Sequence, residues 1–194
     1  AEQIEQEIAS RSLVIRDTQD ALSLGGILAE SGYFSDARGA AQAVVKVLAG
    51  KELGFGPIAS MTGIFIVKGR VSLSANMMAA LVKKHPRYDY RIKKLSALEC
   101  EIAFLESAVE IGTSTFTLSD ATKAGIAKAD NWQNYPRNML FARALSNGVR
   151  WFCPDVMAGA PIYTPEEIGL SVDVETGEVI EDPPLSQETL ASLL

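Results

Sequence analysis

At 194 residues, 47% hydrophobic and formally −6 in net charge, the chain is long enough for one domain with a real core. Its overall charge argues against a nucleic-acid partner when taken alone. No apolar run approaches the roughly 20 residues that span a bilayer, and the opening Ala1-Glu2-Gln3-Ile4-Glu5-Gln6-Glu7 is the acidic opposite of a signal peptide, so a cytoplasmic protein without membrane contact is expected.

Residues 18–31 predict a first helix, entered near Thr18 or Asp20 and ended by Gly32. Gly25-Gly26 inside it costs about 1 kcal/mol per glycine relative to alanine, so this helix depends on packing or kinks there. Asp36 suits the N-cap of a second helix, whose apolar Ala40, Val44, Val45 and Leu48 keep helical spacing until Gly50 stops it. After the glycine-rich connection 51–57, Ile64-Phe65-Ile66-Val67 and Arg70-Val71-Ser72-Leu73 read as a hairpin around Lys68-Gly69. Residues 76–85 form a short Ala/Met/Leu helix closed by Pro86, and three strand-like runs follow at 88–95, 99–106 and 109–117. Ser119-Asp120 opens a helix to about Lys128. The stretch 136–151 is the most helix-like in the chain, with Pro136 in its first turn and Ala142, Leu145, Val149 and Phe152 on its apolar face, until Pro154 ends it. A short helix at 163–167, a small acidic hairpin at 172–180 and a weakly ordered tail at 181–194 complete the reading.

The expected fold is α+β, a central antiparallel β-meander and hairpin sheet flanked by helices, with no internal repeat. Residues 1–35 form an N-terminal arm and helix available for a subunit contact, 36–168 the core, and 169–194 the acidic hairpin and tail. Cys100 and Cys153 lie in no metal-ligand spacing and read as reduced and structural.

Catalytic machinery is hard to find. The single histidine, His85, sits between Lys84 and Pro86 at a helix end, which explains it without catalysis. Gly54-Phe55-Gly56 lacks the third glycine of a dinucleotide fingerprint and the Gly-Lys-Ser/Thr of a phosphate loop, so no nucleotide cofactor is expected. Glu99, Glu101 and Glu106, with Asp89 nearby, could hold a divalent metal, but such alternation more often lines the wet face of a sheet.

Basic groups are easier to find, because the charge is sorted along the chain. Residues 46–151 carry 15 Lys+Arg against 8 Asp+Glu, residues 1–45 carry 3 against 7, and residues 152–194 carry 0 against 9. A cationic middle with acidic flanks fits a phosphate-binding core, and equally an ordinary solvated domain with an acidic tail. Lys68 and Arg70 flank the hairpin turn. Lys83, Lys84, Arg87, Arg91, Lys93 and Lys94 follow, with Arg91 and Lys93 on one side of a strand and Lys94 and Tyr90 on the other. Lys123, Lys128 and Arg137 continue the series. Arg143 and Arg150 share a helix face with Asn147 between them, and Trp132 and Tyr135 stand just before that helix. Cations at repeated spacing with aromatic platforms are what a sugar–phosphate groove needs. The alternative for Trp132, Tyr135 and Trp151 is a place in the core.

The stretch Asn131-Trp132-Gln133-Asn134-Tyr135-Pro136-Arg137-Asn138-Met139-Leu140-Phe141-Ala142-Arg143-Ala144-Leu145-Ser146 resembles the helix motif of RecT-type (RecT/Redβ superfamily) phage recombinases, in which a Trp precedes a helix carrying a Met and then a Lys/Arg facing DNA. Glu52-Leu53-Gly54-Phe55-Gly56-Pro57, the Lys68-Gly69-Arg70 turn and Ser74-Ala75 are similar to that family's N-terminal core, so the resemblance covers roughly 36–168. Arg143 is offset along the helix from the basic residue of the better-known members. The resemblance implies a single-stranded DNA binding protein that assembles into rings or helical filaments and anneals complementary strands in phage recombination without ATP. Single-stranded DNA and the annealed duplex are its implied ligands; a phage exonuclease and a host single-strand-binding protein are its implied partners. The rival readings are an oligomeric phage structural or adaptor protein without DNA binding and, further off, a metal-dependent nuclease.

Overall fold

The computed structural model describes residues 15–34, 36–37, 39–67, 70–160, 163–168, 171–172 and 179–180. It begins with a packed helical pair. α1 (Thr18–Glu30) is capped by Asp17, whose carboxylate accepts from the Asp20 amide, and Gly32 beyond its end takes the left-handed φ of +71°. Gly25 is there for packing: a Cβ would lie 2.4 Å from Val44 Cγ2 and 2.8 Å from the Ala40 carbonyl oxygen on the next helix.

α2 (Ala40–Glu52) departs from the expectation in cap, end and face. Gly39, not Asp36, precedes its first turn. The helix also runs through Gly50, which serves as a contact point: a Cβ there would meet Ser60 Oγ at 1.8 Å. Ser60 belongs to α3 (Pro57–Gly63), a short helix led by a proline in its first turn, where the sequence reading placed no element. Ala43, Lys46, Val47 and Gly50 of α2 are buried, whereas Val45 and Leu48 are exposed. The unexpected member is Lys46, 1% exposed, with Nζ 2.6 Å from Asp36 Oδ2 and 5.5 Å from the centre of the Phe65 ring. Desolvation lowers its pKa, and the Asp36 carboxylate opposes that shift.

β1 (Ile64–Val67) and β2 (Arg70–Leu73) pair antiparallel as expected, with Ile64 opposite Leu73. α4 (Ala75–Lys84) starts at Ser74, whose hydroxyl accepts from the Met77 amide, and its C-cap is His85. β3 (Tyr88–Leu95), β4 (Glu99–Glu106) and β5 (Val109–Thr117) form the antiparallel meander at the expected bounds. Thr117 and Asp120 then make a capping box for α5 (Leu118–Lys123), which stops before Gly125 (φ +74°) and well short of Lys128. α6 (Asp130–Asn134) is a separate turn before α7 (Pro136–Phe152).

α7 lies across one face of the meander, and glycines let it come close. A Cβ on Gly148 would be 2.0 Å from the Phe104 ring, and one on Gly112 of β5 would be 2.2 Å from the Phe152 ring. At the other end of the helix the Trp132 ring lies 6.1 Å from that of Phe116. Cys100, Ile102, Phe104, Phe116, Trp132, Leu140, Leu145 and Val149 belong to this main core. Both cysteines are free and buried in it, and burial pushes the Cys100 thiol up to about 11 and the Cys153 thiol up to about 12. After a 3-10 turn at Pro154–Met157 the chain returns to the first hairpin, where Leu73 N donates to Tyr163 O at 3.0 Å. A second 3-10 turn, Pro165–Ile168, stands where a short helix was expected. β6 (Ser171–Val172) and β7 (Val179–Ile180) pair antiparallel, the ends of the expected acidic hairpin. Residues 181–194 lie outside the described residues. The fold is therefore mixed α+β with a small three-stranded antiparallel sheet and helices. Among the described residues, no helix is long and apolar enough to cross a membrane.

Candidate nucleic-acid interface

The predicted cations fall into three groups. The first is internal. Arg143 and Arg150 do share a face of α7, and both turn to one carboxylate, Glu167, which is 3% exposed. Glu167 Oε1 accepts from Arg150 Nη2 at 2.8 Å and forms an ion pair with Arg143 Nη1 at 2.9 Å; Oε2 accepts from Arg150 Nη1 at 2.9 Å, Ser146 Oγ at 2.7 Å and the Thr164 amide at 2.9 Å. Arg150 also donates to Asn147 Oδ1 at 2.7 Å and stacks over the Tyr163 ring at 4.7 Å, while Arg143 lies over Phe116 at 5.1 Å. Desolvation pushes the Glu167 pKa up, but the Arg150 charge and the Arg150, Ser146 and Thr164 hydrogen bonds outweigh it and hold the carboxyl below its ordinary value. The arginines are thus part of the packing, each only about one-fifth exposed. Spacing along α7 revealed the shared face; nothing in the sequence revealed Glu167 as its partner.

The second group is paired at the surface. Lys83 bonds Asp89 and sits over the Tyr90 ring at 4.6 Å. Arg87 bridges Glu106 at 2.9 Å and Asp155 at 2.6 Å. Lys93 holds Glu110 at 2.6 Å, and Lys94 holds Glu99 at 2.5 Å. The alternation expected along β3 is broken by a bulge between Ile92 and Lys94, so Lys94 stands opposite Glu101 on the face away from α7 and does not share a side with Tyr90. Three of the four carboxylates considered for a metal (Asp89, Glu99 and Glu106) are therefore ion-pair partners of lysine or arginine. No group of three His, Cys, Asp or Glu among the described residues is placed to hold a metal.

The third group faces solvent. Arg70, Lys84, Arg91, Lys123, Lys128 and Arg137 are exposed, and none has a carboxylate within ion-pair distance among the described residues. Lys84 covers the Phe55 ring at 4.4 Å. Lys123, Lys128 and Arg137 lie in the segment that joins the end of β5 to the start of α7. Tyr135 in that segment is 39% exposed, with Gln133, Asn134 and Asn138 exposed beside it. Leu95, Cys100 and Phe116 stand in register across the meander, so Leu95 on β3 and Phe116 near the end of β5 are two strands, roughly 10 Å, apart at one end of the sheet. Lys68 lies outside the described residues. Among the aromatics, Trp132 is 4% exposed and in the core, while Trp151, for which a core place was the alternative, is 59% exposed on α7.

No protein-family model matches the chain, and no curated protein matches it.

Proposed function

We propose that the chain binds single-stranded DNA and anneals complementary strands without ATP, as a homo-oligomer with a RecT/Redβ-like core. The observation that carries the reading is the run Lys123, Lys128, Tyr135 and Arg137, three exposed cations and a half-exposed ring, with Asp130 the only acid exposed between them. Such a surface neutralises phosphates without reading sequence, and the ring offers a face on which a base can stack. Annealing then needs no covalent step. Neutralised strands lose their mutual repulsion, and one held strand can be sampled by its complement. The exposed apolar Val45 and Leu48 on α2 support self-association, which the rival adaptor reading would use equally.

The test is fluorescence anisotropy of a labelled oligonucleotide across salt. If each subunit neutralises about three to five phosphates, at about −0.7 per phosphate the log–log slope is roughly −2 to −3.5. Lys128→Ala and Arg137→Ala should each weaken binding uniformly across sequences and flatten the slope by about 0.7. Binding indifferent to salt, or absent in an oligomer that forms normally, would favour the adaptor reading.

A further inference from the structure

We infer that Glu167 is an intramolecular stand-in for a phosphodiester at the Arg143–Arg150 site, so that residues 163–168 must release these arginines before the arginines can hold DNA. The inference rests on the DNA-binding reading above. Its chemistry is that of the anion already present. A carboxylate and a phosphodiester offer a guanidinium fork the same pair of charged oxygens, and four hydrogen bonds from Arg150, Ser146 and Thr164 together with the Arg143 ion pair converge on this one.

Three features mark the contact as exchangeable. The cluster is unbalanced: two arginines, each about one-fifth exposed, share a single carboxylate, and no second acid lies within ion-pair distance among the described residues. It is also incompletely satisfied, since Arg143 Nε and Thr164 Oγ1 are buried with no hydrogen-bond partner among the described residues. Glu167 already accepts four hydrogen bonds, which use its lone pairs and leave none for Arg143 Nε, whereas a phosphate brings further oxygens. Finally, among the described residues the segment bearing Glu167 is held to the rest of the fold by few polar contacts. Apart from the carboxylate they are the parallel bridge of Tyr163 to Ser72, which includes the Leu73-to-Tyr163 backbone bond, and the stacking of Arg150 on Tyr163.

The experiment measures binding of a fluorescein-labelled oligothymidylate to the full chain, with melting temperature recorded for each variant. Glu167→Gln keeps the shape and removes the charge. It should raise affinity at low salt by about tenfold and steepen the salt slope by about 0.7 to 1.4, as one or both arginines reach phosphates. Ser146→Ala, which removes one donor to the carboxylate and leaves its charge, should raise affinity in the same direction by less. It carries the test should Glu167→Gln fail to fold. Adding Arg150→Gln to either variant should cancel the gain. Lower melting temperature with wild-type affinity and slope in both variants would overturn the inference and leave a purely structural ion cluster. Absence of binding in the wild type and in every variant would instead remove the DNA reading itself.

Discussion

Trp132→Ala separates a core role from a DNA-stacking role, because the two predict opposite pairs of results. The indole is 4% exposed, lies 6.1 Å from the Phe116 ring and belongs to the core that also holds Met139 and Leu140. Truncating a buried tryptophan removes its transfer energy and leaves a cavity, a loss of about 3–5 kcal/mol. In a chain of this size each kcal/mol moves the melting temperature by about 2–4 °C, so the variant should melt roughly 6–20 °C lower. Circular dichroism melts read this directly. Oligonucleotide binding is then compared at a temperature where both proteins are folded, and there the affinity should be close to wild type. A stacking platform would give the reverse, a loss of about 1–3 kcal/mol of binding with the melt unchanged. An unchanged melting temperature would refute the placement of this ring in the core.

Asp36→Ala should cost about 3–5 kcal/mol of stability in denaturant titrations by leaving the Lys46 ammonium buried and unpaired, whereas Lys46→Met should cost far less or stabilise. Equal losses in the two would mean that the pair, not the stranded charge, matters. Gly148→Ala should lower the melting temperature, since the new methyl would lie 2.0 Å from the Phe104 ring and overpacking costs about 1–3 kcal/mol; a neutral result would mean that α7 can rise off the sheet. The Glu167 cluster gives a pH prediction. Its folded pKa is lowered, so its stabilisation is complete above the unfolded carboxyl value of 4.5 and is lost as pH falls through the folded value. The melting-temperature gap between wild type and Glu167→Gln should therefore close in acid, and a gap that widens there would contradict the assigned contacts.

What was legible in the sequence depended on whether one local rule decided the matter. The meander bounds follow from apolar and β-branched runs broken by short turns, and Pro136 in the first turn of α7 is a local signal with no competitor. α2 was misread because its periodicity was scored on apolar residues alone, while the face that packs inward uses Lys46 and two of the smallest side chains, Ala43 and Gly50. Gly50 reads as a stop until α3 is known to press on it. α3 has only seven residues, too few for a period to emerge. The bulge in β3 inverts the side on which Lys94 falls, and a register shift of that kind leaves no mark on composition. Glu167 was missed because its partners lie on a helix that ends well before it, and neither charge counts nor spacing can assign partners across a turn.

That last point also bounds the electrostatics. Charge counted along the sequence treats all 15 basic residues of the 46–151 stretch as equally available, and the fold does not. Six cations of the proposed interface are exposed and unpaired among the described residues, and at about −0.7 per phosphate they cap their own share of the salt slope near −4.2 per subunit. Lys83, Arg87, Lys93 and Lys94 can exceed that cap only by leaving their carboxylates. Exposed ion pairs are worth about 0–1 kcal/mol, so a phosphate can take over such a partner at little cost. Arg143 and Arg150 are different, because Glu167 is buried and their exchange requires residues 163–168 to move. A wild-type slope steeper than this cap that flattens when Lys93 and Lys94 are replaced would place DNA on the meander face away from α7. A steep slope that appears only with Glu167→Gln would place it along α7.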